Sequence, residues 1–332
     1  MRKISIGFAL FVIMAVAAYL RFHRPKQALE IAYAGNRQVT LWNTTATVRE
    51  PVTTVPFGER LDVLVRYEGQ AEVRTDKGST GWVSDRELLT SEVWDRALEW
   101  TKQAENMPVE ARGHTRVLSN LHVEAGRNTP RLRQLNKDVP VDLLERTTAT
   151  IPAKNESGGE ADPAPGASPG KTEDWWLIVA HTPDQGAVGG WMLGRFIDLD
   201  VPQPLPDYAS SAAMRIVAWF ELNRVRDAAG GLKPQYLLLG DRGPEGRPCD
   251  FRLIRVFTWG AKRARYETAF IDSDVCGKLP VAVTHASPID LTFSFQNLDG
   301  AASTARTYRM QQTIVRLVRA RAKPKTPRGT RG

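Results

Sequence analysis

This 332-residue sequence has only two cysteines, five histidines and one long apolar run, and each shortage narrows what the chain can do. The histidines (His23, His114, His122, His181, His285) are scattered with no metal-ligand spacing, and Asp-rich calcium loops are missing. No Gly-rich phosphate loop occurs: neither Gly158-Gly159 nor Gly189-Gly190 is followed by a Lys or a predicted helix. No cofactor and no metal are therefore expected. For thiol chemistry the candidate pair is Cys249 with His285, since a thiolate needs a nearby imidazole. Pro248-Cys249-Asp250-Phe251 opens a predicted strand, so no helix N-terminus activates that sulfur, and Cys276 is its better partner.

Acidic charge is absent from both ends of the chain. Residues 1–26 carry Arg2, Lys3, Arg21, Arg24 and Lys26, and residues 319–332 carry Arg319, Arg321, Lys323, Lys325, Arg328 and Arg331. Taking these eleven cations from the net charge of +8 leaves −3 for everything between, so the basic character belongs to the ends. Nucleic acid is an unlikely partner, because no basic and aromatic face accompanies the tail. The tail 319–332, broken by Pro324 and Pro327, reads as disordered. It either keeps the chain soluble or attaches it electrostatically to anionic surfaces.

The apolar run is Ile4 to Leu20, 17 residues with charge on both sides. That is the short limit for spanning a hydrocarbon core of roughly 30 Å. Residues 1–26 are read as a transmembrane anchor, with a cleaved signal peptide as the alternative because Ala15-Val16-Ala17 satisfies the small-x-small rule. Against cleavage, Tyr19, Leu20 and a basic cluster follow at once.

The middle of the chain repeats. Gly81-Trp82-Val83 and Gly190-Trp191-Met192 each close a run of alternating apolar residues, and each is followed by a small apolar cluster, Leu88-Leu89 and Phe196-Ile197. In the first copy (32–90), Leu61, Val63 and Val65 form a half-buried strand, Ala71, Val73 and Thr75 return, and Asp76-Lys77-Gly78 turns into the Gly-Trp strand. Pro51 with Thr53-Thr54 marks a loop, and Val55 to Gly58 a tight turn. In the second copy (114–200), Leu121-His122-Val123 stands where Val48-Arg49 stood, and Val139, Val141 and Leu143 repeat the middle strand. The Pro-, Gly- and Ser-rich segment 153–173 reads as a disordered insertion between two strands, or less readily as a domain linker.

Val48-Arg49, then Gly58 with Leu61 and Val63, then Gly81-Trp82-Val83 together resemble the bacterial SH3-like domain of cell-envelope proteins. Glu50-Pro51 departs from that family's usual turn. The resemblance implies two small five-stranded barrels that bind wall peptides or protein partners in a groove between loops, with Trp82 and Trp191 as candidate contacts. Such modules often accompany cell-wall hydrolases, which makes hydrolysis a remote alternative.

Between the copies, residues 91–108 read as a connecting helix. Val93, Ala97, Trp100, Ala104 and Met107 lie on one face, Ser91 is the expected cap, and Pro108 ends it. After a stiff Pro-rich linker, Val201 to Pro206, a C-terminal antiparallel β domain (208–318) is expected, with strands at 216–222, 236–239, 251–259, 266–271 and 291–295. Residues 307–318 read as a strand or a closing helix, since Met310, Ile314 and Leu317 keep helical spacing. Cys249 precedes one predicted strand and Cys276 follows the next, which suits a disulfide across the ends of a hairpin; two buried thiols are the alternative. A disulfide places the body outside the cytoplasm.

The expectation is a mainly β protein: two SH3-like barrels, a C-terminal antiparallel β domain and an N-terminal transmembrane helix. It is a non-enzymatic, single-pass inner-membrane protein with its body in the periplasm or outside the cell, or a secreted protein if the signal is cleaved. Its partners are the membrane and either peptidoglycan or envelope proteins, the latter making it a scaffold or accessory subunit.

Overall fold

A computed structural model describes residues 26–151, 171–183, 186–300 and 302–318. The N-terminal apolar run, most of the 153–173 insertion and the tail cations Arg319, Arg321, Lys323, Lys325, Arg328 and Arg331 lie outside the described residues. Among the described residues no helix is long and apolar enough to cross a membrane. The protein is mainly β, its sheets are antiparallel, and the chain divides after Asp95 into two compact units.

The first unit is built on β1 (Glu30–Ala34), β2 (Gln38–Trp42), β3 (Pro51–Pro56), β4 (Arg60–Tyr67), β5 (Gln70–Thr75), β6 (Thr80–Ser84) and β7 (Leu88–Thr90). They form one sheet in the order β3-β2-β6-β5-β4-β1-β7. Period-two alternation puts Leu41, Leu61, Val63, Val73 and Val83 into a shared core. Pro51 to Pro56, expected as a loop and turn, is the edge strand β3. Proline is tolerated there because an edge strand leaves some N–H positions outside the ladder. Trp94, in the first turn of the helix Ser91–Ala104, stacks on Tyr33 with ring centroids 4.9 Å apart. Gly58 admits that ring: its φ is +77°, and a Cβ would lie 2.5 Å from the Trp94 indole. The helix starts on Thr90, whose Oγ1 accepts from Val93 N, while Ser91 Oγ donates to Ile31 O instead of capping.

The second unit opens with β8 (Ala111–Thr115), β9 (Ser119–His122), β10 (Arg131–Leu135), β11 (Pro140–Thr150), β12 (Thr172–Thr182), β13 (Gly186–Leu193) and β14 (Ile197–Leu199). Their order, β10-β9-β13-β12-β11-β8-β14, is the order of the first sheet strand for strand. The register fixes the correspondence between copies. Trp42 pairs with Trp82 as His122 pairs with Trp191, so Leu121-His122 answers to Leu41-Trp42 and not to Val48-Arg49. Val48 lies in a loop and is 90% exposed, so its apolar character carries no strand register. Thr172 and Glu173, assigned to the insertion, are the first residues of β12.

Two four-stranded meanders complete this unit. One runs through β15 (Arg215–Arg226), β16 (Leu232–Asp241), β17 (Leu253–Gly260) and β18 (Arg265–Asp272); the other through β19 (Gly277–Ser287), β20 (Asp290–Asp299), β21 (Ala302–Gln311) and β22 (Ile314–Val318). Residues 307–318 are the end of β21 and the whole of β22 joined by a turn at Gln312-Thr313, not a helix, and alternation buries Tyr308, Met310 and Val315. β19 escapes sequence reading because Gly277 and Pro280 interrupt its pattern and its pairing shifts register twice. The Pro-rich linker ends in a short helix, Leu205–Ser211, whose Leu205 and Ala209 are buried against Leu238, Leu253 and Phe257 of the first meander.

Candidate functional site

The two Gly-Trp pairs need glycine for close approach, not for a turn. A Cβ on Gly81 would sit 2.8 Å from Leu41 Cβ, and one on Gly190 2.8 Å from Leu121 Cγ and 2.9 Å from the His122 carbonyl. β2 and β9 therefore cross directly beneath the glycines, and the Trp that follows points to the opposite, outer face. The inner core of the first sheet accordingly contains neither Trp42 nor Trp82.

The two outer faces have diverged. Across β5 and β6 of the first copy run Gln70, Glu72 and Arg74 beside Thr80, Trp82 and Ser84, all half-buried or exposed. The corresponding positions of β12 and β13 are Trp175, Leu177 and Val179 beside Gly189, Trp191 and Leu193. This apolar face is buried beneath the helix Ser91–Ala104. Trp100 meets Trp191 edge-on at 5.8 Å and donates its indole N–H to Val123 O over 2.7 Å. Thr101 Oγ1 accepts from Gly189 N at 2.9 Å, and a Cβ on Gly189 would lie 2.8 Å from Thr101 N. The double glycine thus serves two contacts, Gly189 the helix and Gly190 the crossing strand. Trp191, at 6% exposure, is structural.

Trp82 is only partly buried. It lies opposite Trp42 on β2 and Glu72 on β5, and Arg49 stacks over the Trp42 ring at 4.3 Å from its centroid. Glu72 is paired with Lys26. Arg74 hydrogen-bonds Asp62 at 3.0 Å, which holds that carboxyl below its usual range. Two indoles side by side, flanked by both signs of charge, form a surface on which a peptide's flat or apolar groups can stack while its charged groups find partners.

A second feature lies wholly within the second unit, where the second sheet meets the C-terminal meanders. Arg146 of β11 is 2% exposed and bridges Asp174 of β12 to Asp250, the residue after Cys249. Asp250 also takes Lys278 Nζ at 2.6 Å and Leu279 N at 2.8 Å; Asp174 takes Arg215 at 3.1 Å and Gly246 N at 2.7 Å. Nearby, Glu110 is buried and accepts from Val281 N at 3.2 Å. Burial pushes its carboxyl up to about 7, against the pull of that hydrogen bond and with some repulsion from Asp250. The adjoining cleft, about 610 Å³, has Arg116, Arg195, Arg215 and Trp176 in its wall. Its guanidiniums already face carboxylates: Arg116 Asp198, Arg195 Glu173, and Arg215 Asp174. That charge balance suits an internal seam more than an anion site.

Cys249 and Cys276 form a disulfide with their Cα atoms 4.9 Å apart, clamping the ends of the β17–β18 hairpin as the sequence suggested. Cys249 consequently has no thiol to offer, and His285 Nε2 lies against the Leu222 carbonyl. His122 Nδ1 is within 3.1 Å of both the Thr129 carbonyl and its hydroxyl, and burial lowers the imidazole's pKa. No group of three metal-ligating side chains occurs among the described residues.

No family model and no curated protein matches the sequence. Among solved structures, an NlpC/P60 family protein from Bacillus cereus aligns over 59% of this chain and 65% of its own length, with 11% identity and a TM-score of 0.22. NlpC2 from Trichomonas vaginalis aligns over 89% of this chain and 97% of its own, with 10% identity and a TM-score of 0.18. Likeness at this level carries no argument about fold or activity.

Proposed function

We propose that this is a non-enzymatic, membrane-anchored cell-envelope protein whose two seven-stranded modules are SH3-like domains, and that the first of them binds a wall peptide at Trp42 and Trp82. The observation that carries the reading is the unequal fate of two equivalent faces. The second copy's outer face is apolar and buried under a helix, whereas the first copy's holds a half-exposed Trp82 among charged and polar neighbours. The disulfide agrees with a body in an oxidising compartment. The disulfide engages Cys249, the sulfur of the candidate thiol pair, which supports the non-enzymatic reading. The test is co-sedimentation of the full-length protein with purified peptidoglycan sacculi at low salt. The protein is expected in the pellet, and a Trp42→Ala/Trp82→Ala variant in the supernatant; a wild-type protein left in the supernatant overturns the reading.

A scaffold or accessory subunit of an envelope complex is the second reading, favoured by β22. This edge strand exposes Ile314, Leu317 and Val318, apolar side chains beside a row of backbone groups that no further strand pairs among the described residues. A photo-crosslinker at Leu317 in intact cells is then expected to capture a defined protein, and capture of none counts against it.

A further inference from the structure

The C-terminal domain concentrates positive charge in a body that is otherwise mildly acidic. Between residues 242 and 265 there are seven cations, against the carboxylates Glu245 and Asp250. Asp250 is already engaged by Arg146 and Lys278. Three of the seven, Arg255, Arg263 and Arg265, line a concavity of about 480 Å³ formed by β17, β18 and their connecting turn. Its carboxylate, Glu267, is shared between Arg263 at 3.1 Å and Arg265 at 3.8 Å.

Arg255 is the central group. Its guanidinium lies over the Phe257 ring at 4.7 Å from the centroid, and its Nε donates to Thr268 Oγ1 at 2.9 Å. It has no carboxylate partner among the described residues, and its Nη groups have no acceptor there. Stacking on a buried ring fixes the plane of the fork, which is the arrangement that presents two parallel N–H groups to one anion. Burial, with repulsion from Arg242, holds its pKa below the usual guanidinium value, the mark of a cation whose counter-charge has not been supplied by the protein. Three guanidiniums around one carboxylate leave the concavity with a surplus of about two positive charges. A carboxylate ligand neutralises only one of these; a phosphoryl group, near −2 and with several acceptor oxygens, neutralises both.

We infer that Arg255, Arg263 and Arg265 form a binding site for a phosphomonoester or pyrophosphate group, separate from the tryptophan surface of the first sheet. Such a dianionic group occurs both on soluble phosphorylated compounds and on phosphomonoester lipid headgroups such as that of phosphatidic acid. The inference is independent of the peptide-binding reading, since it uses neither the first unit nor the residues beyond 318.

The test uses the full-length protein in neutral detergent at low salt with two probes: inorganic pyrophosphate, followed by calorimetry, and phosphatidic acid doped into the micelles against a phosphatidylcholine control. Saturable binding of pyrophosphate identifies a soluble phosphate as sufficient. Binding of phosphatidic acid alone identifies the headgroup. In either case Arg255→Gln is expected to weaken binding about tenfold or more, Arg255→Lys to weaken it less, and Arg316→Gln on β22 to leave it unchanged. Should Arg255→Gln lower the melting temperature, the Arg263→Gln/Arg265→Gln pair, both exposed, is expected to give the same loss with the fold intact. Three results overturn the inference: no binding of either probe, wild-type affinity in Arg255→Gln and in the double variant, or loss of binding on neutralising the six tail cations with Arg255 intact.

Discussion

Arg146 and Asp250 stand 104 residues apart in the sequence and meet at 2.8 Å in the interior of the second unit, each with almost no solvent exposure. Through that pair the second seven-stranded sheet is joined to the loop that carries the disulfide, because Arg146 also donates to the Cys249 and Arg247 carbonyls. Charges removed from water are tolerated only when they are paired, and Arg146 Nε is already buried without a partner among the described residues, so the network is sensitive to losing any one member.

Asp250→Asn leaves the buried Arg146 with Asp174 alone and takes the carboxylate from the partly exposed Lys278. A loss of about 3–5 kcal/mol is expected in urea unfolding of the second unit. A change under 1 kcal/mol would show the network to be dispensable.

The disulfide closes a loop of 27 residues. In the chain-entropy model this constrains the unfolded chain by roughly 3.5 kcal/mol. Zero free thiols are expected in the denatured, unreduced protein, and Cys249→Ala/Cys276→Ala should lower the urea midpoint accordingly.

Glu110 makes stability depend on pH. Its folded-state pKa of about 7 lies above the ordinary carboxylate value, so the folded chain holds a proton that the unfolded chain releases. The stability linked to this proton is fully present below about pH 4.5 and is lost progressively up to about pH 7. Glu110→Gln keeps an acceptor for Val281 N–H without the charge. It is expected to match the wild type near pH 4 and to exceed it at pH 8 by a margin on the order of 3 kcal/mol, read from urea midpoints across that range.

Gly189→Ala drives a methyl group into the Thr101 backbone. Because a helix backbone cannot yield as a side-chain tip does, the expected cost is about 1–3 kcal/mol. A red shift of tryptophan emission, as Trp100 and Trp191 gain water, would locate the damage; an unshifted spectrum would contradict the packing.

The two repeat tryptophans should respond differently to truncation. Trp191→Ala empties a buried site and is expected to cost about 3–5 kcal/mol. Trp82→Ala removes a half-exposed ring and should cost less than half of that in the same thermal or urea assay.

The duplication was legible in the sequence because Gly81-Trp82 and Gly190-Trp191 answer to a local demand, a glycine where another strand crosses. The β class and the pairing of Cys249 with Cys276 were legible for similar reasons, since alternation and spacing are properties of neighbouring residues. Strand limits near proline were harder to read, as at Pro51 and Pro280, where local rules argue against a strand and an edge position or a register shift overrides them.

Sequence alone determined the composition of each face: polar residues at 70, 72 and 74, and Trp175, Leu177 and Val179 at the matching positions of the second copy. Only the tertiary structure decided that the helix covers the second of these faces, which makes Trp191 structural and leaves Trp82 partly exposed. It also brought Arg146 to Asp250 and left Arg255 without a carboxylate among the described residues. Burial and charge pairing depend on groups far apart along the chain, so they are settled when the sheets pack and not before.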